Sequence, residues 1–344
     1  MHIALLTGGI SPERPISLRS NEGLQTFIRE TGHTYDVYDI PEEIDEFLSK
    51  YQNYDIVFPY LHGRYGEDGA ITGLCEALGL RYVGSPSTTH ALCIDKFRTN
   101  CVIEHLGIVH VPKSWIPGIH VPKMLGFSEE SISPTKTDEL PAPVIVKPNC
   151  WGSTVATNKA ATIQKLFTSI EEVYQNTSAL TAKNIGTLGT AGISHKSFFR
   201  HFPDYTDKPI VQEYIEGEEY TVWVVGANQH PEVLPIMQIV NIKAELFDWQ
   251  EKYESDGSNE IFAEHLDGEL REKLENISKT IYTQVGCSGV ARIDYRVRGK
   301  EIFFLEVNTF PGATAASFIP KMWRKSGRTM ADFIEMLITT ATKN

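Results

Sequence analysis

Two acids and an amide lie close together near the end of this chain. Asp294 stands in Ala291-Arg-Ile-Asp294-Tyr295, and Glu306 and Asn308 stand in Phe304-Leu-Glu306-Val-Asn308-Thr-Phe-Pro-Gly312. All three offer hard oxygen donors, which suit Mg²⁺ shared with phosphate oxygens and suit soft metals poorly. Glu306 and Asn308 are two residues apart, so on a strand their side chains share a face. Arg292, two residues before the first acid, can bring positive charge to the same place. Gly312 ends the motif in a Pro-Gly turn, where a backbone N–H can approach a developing oxyanion. The pattern predicts ATP chemistry on a sheet, in a chain with no Gly-x-x-x-x-Gly-Lys-Ser/Thr loop.

Other segments carry complementary groups. Lys147 closes the apolar run Val144-Ile-Val-Lys147 just before Pro148, and Gly152-Ser153-Thr154 follows. Small residues and hydroxyls there let backbone N–H groups close over phosphates. Lys96 is a second phosphate candidate, or else a solvated helix residue. The segment Gln212-Glu213-Tyr214-Ile215-Glu216-Gly217-Glu218-Glu219 reads as an adenine clamp. Its backbone would bond the base and Glu219 would accept from ribose hydroxyls; the plainer alternative is a charged hinge. Two glycine-rich turns, Gly8-Gly9-Ile-Ser11-Pro-Glu13 and His62-Gly-Arg-Tyr-Gly66-Glu67-Asp68-Gly69, follow predicted strands. Open α/β sheets bind ligands at such strand ends. Gly8-Gly9 does not complete a dinucleotide fingerprint. Phe247 to Tyr253 reads as a surface loop or as a lid that carries Lys252 toward a γ-phosphate.

The elements that must position these groups follow from periodicity and breakers. Strands are predicted at 2–7, 37–40, 55–61, 81–83, 144–148, 210–215 and 220–225, with two more around Arg292 and Glu306. Helices are predicted from Glu13 through Ile28, over 71–78, 95–106, 163–174 and 270–284, and over roughly 329–341. Alternating strands and helices at the start imply a parallel, helix-covered sheet. Residues 117–143 read as a loop or irregular hairpin, and 176–209 as an insertion. The 344 residues allow about two or three domains. Hydrophobic residues make up 41% and mean hydropathy is −0.21, ordinary for a chain that buries real cores. A net charge of −12 argues against a nucleic-acid partner, whose phosphates need clustered Lys and Arg. Five cysteines with no C-x-x-C pair read as reduced cytoplasmic thiols. The apolar run at the N-terminus reads as a buried strand rather than a signal peptide, and no stretch is long enough to span a membrane.

In this order the segments resemble the D-alanine–D-alanine ligases of the ATP-grasp superfamily. The likeness runs through Gly8-Gly9-x-Ser11-x-Glu13, His62-Gly-x-x-Gly66-Glu67-Asp68-Gly69, Asp95-Lys96, Val146-Lys147-Pro148 and Gly152-Ser153. It continues through Glu213-x-x-x-Gly217-x-Glu219, Lys252-Tyr253, Arg292-x-Asp294 and Glu306-x-Asn308-Thr-x-Pro-Gly312-x-Thr314-x-x-Ser317. The resemblance implies an N-terminal α/β domain (1–92), a small central domain (93–216) and a C-terminal catalytic domain (217–344), with ATP between the last two. It implies two Mg²⁺ or Mn²⁺ ions on Asp294, Glu306 and Asn308. ATP would be held by Lys96, Lys147, Glu213, Tyr214, Ile215, Glu219 and Lys252. Glu13, linked with Ser153 and Tyr253, would hold the first substrate's ammonium near His62. Ser317 and the Phe318 backbone would hold the second substrate's carboxylate, and Arg292 and Gly312 the oxyanion. The implied reaction makes D-alanyl phosphate and then the dipeptide for peptidoglycan, in the cytoplasm, from a chain that is a dimer in many relatives. Rival readings are a D-alanine–D-lactate or other dipeptide ligase, disfavoured by Tyr253, and a non-catalytic nucleotide-binding regulator. The chain departs from the family pattern at Trp151, Ala156, Phe318 and the Gln212-Glu213 pair.

Overall fold

Ile3, Ala4, Leu5 and Leu6 form a run apolar on both faces, as the centre of a helix-covered parallel sheet requires. In the computed structural model, which describes residues 1–11, 13–117, 139–152, 156–187, 207–241, 258–312 and 318–342, that run lies in β1 (His2–Gly8). It pairs in parallel with β2 (Thr34–Ile40) on one side and β3 (Ile56–Pro59) on the other. Helix α1 (Arg14–Arg29) has Pro15 in its first turn, where the missing N–H costs nothing. It buries Ile16, Leu24, Phe27 and Ile28 at helical spacing. Short helices α2 (Ile44–Lys50), α3 (Ala70–Ala77) and α4 (Ser87–Ile94) complete this region. Helix α5 (Lys96–Leu106) starts where the Asp95 carboxylate accepts the Arg98 N–H at 2.9 Å and stops at the left-handed Gly107.

A second, antiparallel sheet has the order β4-β7-β5-β6. Its strands are β4 (Ser114–Trp115), β5 (Glu139–Pro148), β6 (Asn158–Thr162) and β7 (Pro209–Glu213). Period-2 alternation puts Val144, Val146 and Val211 against α6 (Ile163–Thr187), in one core with Leu166 and Val173. The opposite face, with Ile145, Lys147 and Gln212, lines a cleft.

The third sheet runs β11-β10-β8-β12-β13, with β9 on β8. These are β8 (Glu218–Gly226), β9 (Glu232–Val233), β10 (Met237–Asn241), β11 (Ser258–Phe262), β12 (Gly289–Arg298) and β13 (Glu301–Asn308). One face buries Tyr220, Val222, Ala291, Ile293, Tyr295 and Phe304, in a core shared with Leu274 and Ile281 of α7 (Gly268–Gln284). On the other face Trp223, Val225 and Val290 share a core with Leu5, Phe58 and Phe310. The same core takes in Trp323 of α8 (Phe318–Lys325) and Phe333 of α9 (Met330–Thr339). One apolar cluster thus joins the first sheet to the third, and Thr342 adds a bridge to Tyr82.

Several expectations change. The strand at 81–83 reduces to a bridge at Tyr82, paired with Val57 and Thr342. Part of 176–209 is helical, because α6 runs on to Thr187. Helices α2, α4 and α8 and strands β4, β6 and β9 to β11 appear where periodicity gave no element, and β5 begins at Glu139, inside the stretch read as a loop or irregular hairpin. Among the described residues no helix is long and apolar enough to cross a membrane.

Candidate functional site

The acids of the third sheet are held by its register. Arg292 lies opposite Asn308 and Asp294 opposite Glu306, so all four share one face. A bulge follows, because Tyr295 pairs with Phe304 and leaves Leu305 extra. Leu305 and Glu306 therefore both line the cleft. On the other side of β12, Thr221 is opposite Asp294, and its hydroxyl donates to Oδ1 at 2.7 Å. The Arg292 guanidinium grips Asp294, with Nε 3.0 Å from Oδ1 and Nη2 2.8 Å from Oδ2. Asn308 Nδ2 donates to Asp294 and to Glu306, each at 3.3 Å.

Two lysines reach this cluster from other elements. Lys96 opens α5 and Lys147 ends the apolar part of β5, and their Nζ atoms lie 3.6 and 4.0 Å from Glu306 Oε2. Lys96 also donates to the Trp151 carbonyl at 2.7 Å. Burial opposes its charge, but Glu306, Cys150, Asp207 and Glu13 outweigh that and hold its pKa above the ordinary lysine value. For Lys147 burial wins, helped by Lys96, and its pKa is lowered. The cleft holds about 150 Å³ and continues past Ile145, Tyr214, Ile215 and Glu219. Glu219 is paired with Arg296 at 2.8 Å. The Glu213 and Tyr214 amides are spent on the Lys113 and Pro143 carbonyls. The Tyr214 ring lies under the Lys159 ammonium, 4.0 Å from its centroid.

The first sheet brings its own acids to the cleft. Glu13 is buried just before α1. A Cβ on Gly152 would lie 2.9 Å from its Oε1, and one on Gly63 3.0 Å from its Oε2. Only glycines admit the carboxylate between these two turns. Glu67 lies near it, bonded by the Gly63 N–H at 2.7 Å. Burial and the neighbouring Glu13 charge raise the Glu67 pKa, against hydrogen bonds from Gly63 and Phe310. His62 is buried, with Nε2 3.0 Å from Ser20 Oγ. Its ring also bonds the Phe310 backbone, and burial lowers its pKa to about 4, so it is neutral. Tyr60 donates to the Pro311 carbonyl, and Thr309 Oγ1 lies 2.6 Å from His90 Nδ1. Tyr60, His62, Glu67 and His90 thus fix the turn that ends at Gly312.

The two acids and an amide can bind a hard cation. Among the described residues no three His, Cys, Asp or Glu side chains converge as a metal cage. Asp294, Glu306 and Asn308 therefore fit Mg²⁺ only when phosphate or water oxygens complete the octahedron. The Asn308 amide must also turn over to offer Oδ1. Ser153, Lys252, Tyr253, Ser317 and the 247–253 lid lie outside the described residues. Phe318 begins α8 and packs on Trp223, at 6.2 Å between ring centroids. Ala156 takes a φ of +53°, a region that favours glycine. Sequence reading passed over Thr221, Tyr60 and Arg296 as site residues; cross-strand register would have found Thr221 and Arg296, and no local signal marks Tyr60.

The Glu67 environment predicts a pH effect on stability. A carboxyl whose pKa is raised on folding keeps its proton in the native state, while the unfolded chain loses it near 4.5. The unfolded state then binds fewer protons, so stability falls as pH rises above about 4.5, by at most ~1.4 kcal/mol per pH unit. His62, lowered to about 4, works the other way between 4 and the ordinary histidine value of 6.5. It is present in both proteins and cancels from the comparison. Thermal melts from pH 5 to 8 should fall more steeply for the wild type than for Glu67→Gln. Parallel curves would remove Glu67 from this account.

Comparison with known proteins agrees with the geometry. A family model described as D-ala D-ala ligase N-terminus matches residues 29–85, and one described as D-ala D-ala ligase C-terminus matches 190–339. A D-alanine–D-alanine ligase of Fervidobacterium nodosum is 31% identical across 100% of this chain and 99% of its own length. The crystal structure of the D-alanine–D-alanine ligase from Bacillus anthracis is 26% identical, with a TM-score of 0.74 over 99% of this chain and 97% of that one. A structure of that protein complexed with ATP has a TM-score of 0.73 at 24% identity, covering 99% and 97% of the two chains, and supports the fold. By these matches the chain belongs to the D-alanine–D-alanine ligase family, and its fold is ATP-grasp.

Proposed function

We propose that this chain joins two D-alanine molecules at the expense of ATP, through D-alanyl phosphate, for peptidoglycan synthesis. The observation that carries the reading is the convergence of Lys96, Lys147 and Arg292 on Glu306 and Asp294. That cluster lies beside a cleft whose Gly152 touches Glu13. A carboxylate is a poor electrophile, and phosphorylation gives it a leaving group. Phosphoryl transfer asks a protein mainly for positioning and charge neutralisation. Lys96 and Lys147 would hold the phosphates, with Glu219 at the ribose and residues 213–215 at the base. Asp294, Glu306 and Asn308 would hold Mg²⁺, which when bound neutralises charge on the transferring group. Glu13, with Glu67 beside it, makes an acidic recess for the first substrate's ammonium. Arg292 and the Gly312 N–H would stabilise the tetrahedral oxyanion formed when the second amine attacks. We also propose units at 1–92, 93–216 and 217–344, supported by the three sheets; α8 and α9 pack back on the first unit.

The test is ADP and phosphate release with ATP, Mg²⁺ and a panel of amino acids, with the product mass checked. D-Alanine should be the best substrate and D-alanyl-D-alanine the product. Release with no amino acid of the panel would favour a nucleotide-binding protein without catalysis.

A further inference from the structure

Gln212 is 3% exposed and lines the cleft, and its Nε2 has no hydrogen-bond partner among the described residues. Its position in β7 is fixed by register. Ile145 is opposite Gln212 and Lys147 opposite Ile210, so Gln212 shares a face with both cleft-lining residues of β5. It lies one pleat from the phosphate-side lysine, about 7 Å along the strand. It also stands three residues before Ile215, which lines the same cleft. Ile145, Leu305 and Tyr214 line the same cleft and give it apolar surface that suits a flat heterocycle.

A buried amide with an orphaned donor is unusual unless a ligand completes it. We infer that the Gln212 carboxamide reads the six-position edge of the nucleotide base and admits 6-oxopurines as well as 6-aminopurines. The inference rests on the nucleotide reading of the cleft. A carboxamide carries a donor and an acceptor, and half a turn about its last bond exchanges them. Against a 6-aminopurine Oε1 accepts from the 6-amino group while Nε2 donates to a ring nitrogen; against a 6-oxopurine, whose N1 carries a hydrogen, Nε2 donates to the 6-carbonyl oxygen and Oε1 accepts from N1–H. A carboxylate in the same place has acceptors only. It pairs with a 6-amino group and repels a 6-carbonyl oxygen. Gln212 is thus a specificity-determining residue, and the six-position tolerance of this enzyme lies in one side-chain amide.

Calorimetric titration of the full chain with ADP and with inosine diphosphate, both with Mg²⁺, reads base preference without turnover. Wild type should bind inosine diphosphate within about tenfold of ADP, since one matched hydrogen-bonding edge is replaced by another. Gln212→Glu should keep ADP within about threefold and lose a further ~30-fold or more against inosine diphosphate. A wild-type preference for ADP above about a hundredfold would overturn the inference, whatever the variant does. So would an unchanged ratio in a variant that still binds ADP. If neither nucleotide binds wild type, the nucleotide reading of the cleft itself falls and takes this inference with it.

Discussion

Glu306→Gln is expected to lower turnover by about a hundredfold to a thousandfold in a protein that still folds, since loss of one preorganised charge contact costs ~3–4 kcal/mol of barrier. The reason is the number of cations that share this carboxylate. Lys96 Nζ is 3.6 Å away, Arg292 Nη2 3.8 Å and Lys147 Nζ 4.0 Å. The amide keeps the volume and removes the charge. Three cations then face one another with one carboxylate fewer among them, and a hard oxygen donor becomes a weak one. Lys147, whose pKa burial and Lys96 already lower, would be pushed toward its neutral form. The stability cost should be smaller, about 1–3 kcal/mol for weakened charged hydrogen bonds. Steady-state rates with D-alanine, beside circular dichroism and a thermal melt, separate the two. A folded variant with the wild-type rate would take Glu306 out of the reaction.

The same residues show how far the sequence could be read. Glu306 and Asn308 were visible as a pair because spacing by two puts them on one face of any strand. Their partners came from β12, because Asp294 and Arg292 are also two apart. The bulge at Leu305 was not visible, since nothing in Phe304-Leu-Glu306 marks an extra residue. Lys147 was visible from its apolar strand. That it shares Glu306 with Lys96 was not, because one sits near the end of a central strand and the other on the first turn of a capped helix. The turn before Gly312 depends on Tyr60, 251 residues from Pro311, and on His90, 219 residues from Thr309. Such bonds leave no local periodicity. The 81–83 strand failed because Tyr82 is a core residue with partners on both sides, Val57 and Thr342, and continues neither ladder. Gln212 was legible as part of a charged cluster, but only pairing with Ile145 turns it toward the cleft.

Arg292→Lys should separate charge from shape. Arg292 holds Asp294 through Nε and Nη2 together, at 3.0 and 2.8 Å. Asp294 is itself fixed by Thr221 at 2.7 Å. The guanidinium plane is therefore oriented before any ligand arrives, and its remaining edge is directed by the fork. Lysine keeps the positive charge but is a point donor on a flexible stem, with no plane to fix. If Arg292 served only to neutralise phosphate charge, lysine would replace it well. If it holds an oxyanion at one place, lysine should fail, with kcat lower by about a hundredfold to a thousandfold. Nucleotide affinity should change by no more than about threefold, because Lys96 and Lys147 remain where phosphates are expected. Rates and calorimetric ADP titration on one preparation give both numbers. A lysine variant that kept a third of the wild-type kcat would show that position matters less than charge. The oxyanion would then belong to the Gly312 turn, which Tyr60, His62 and Glu67 hold.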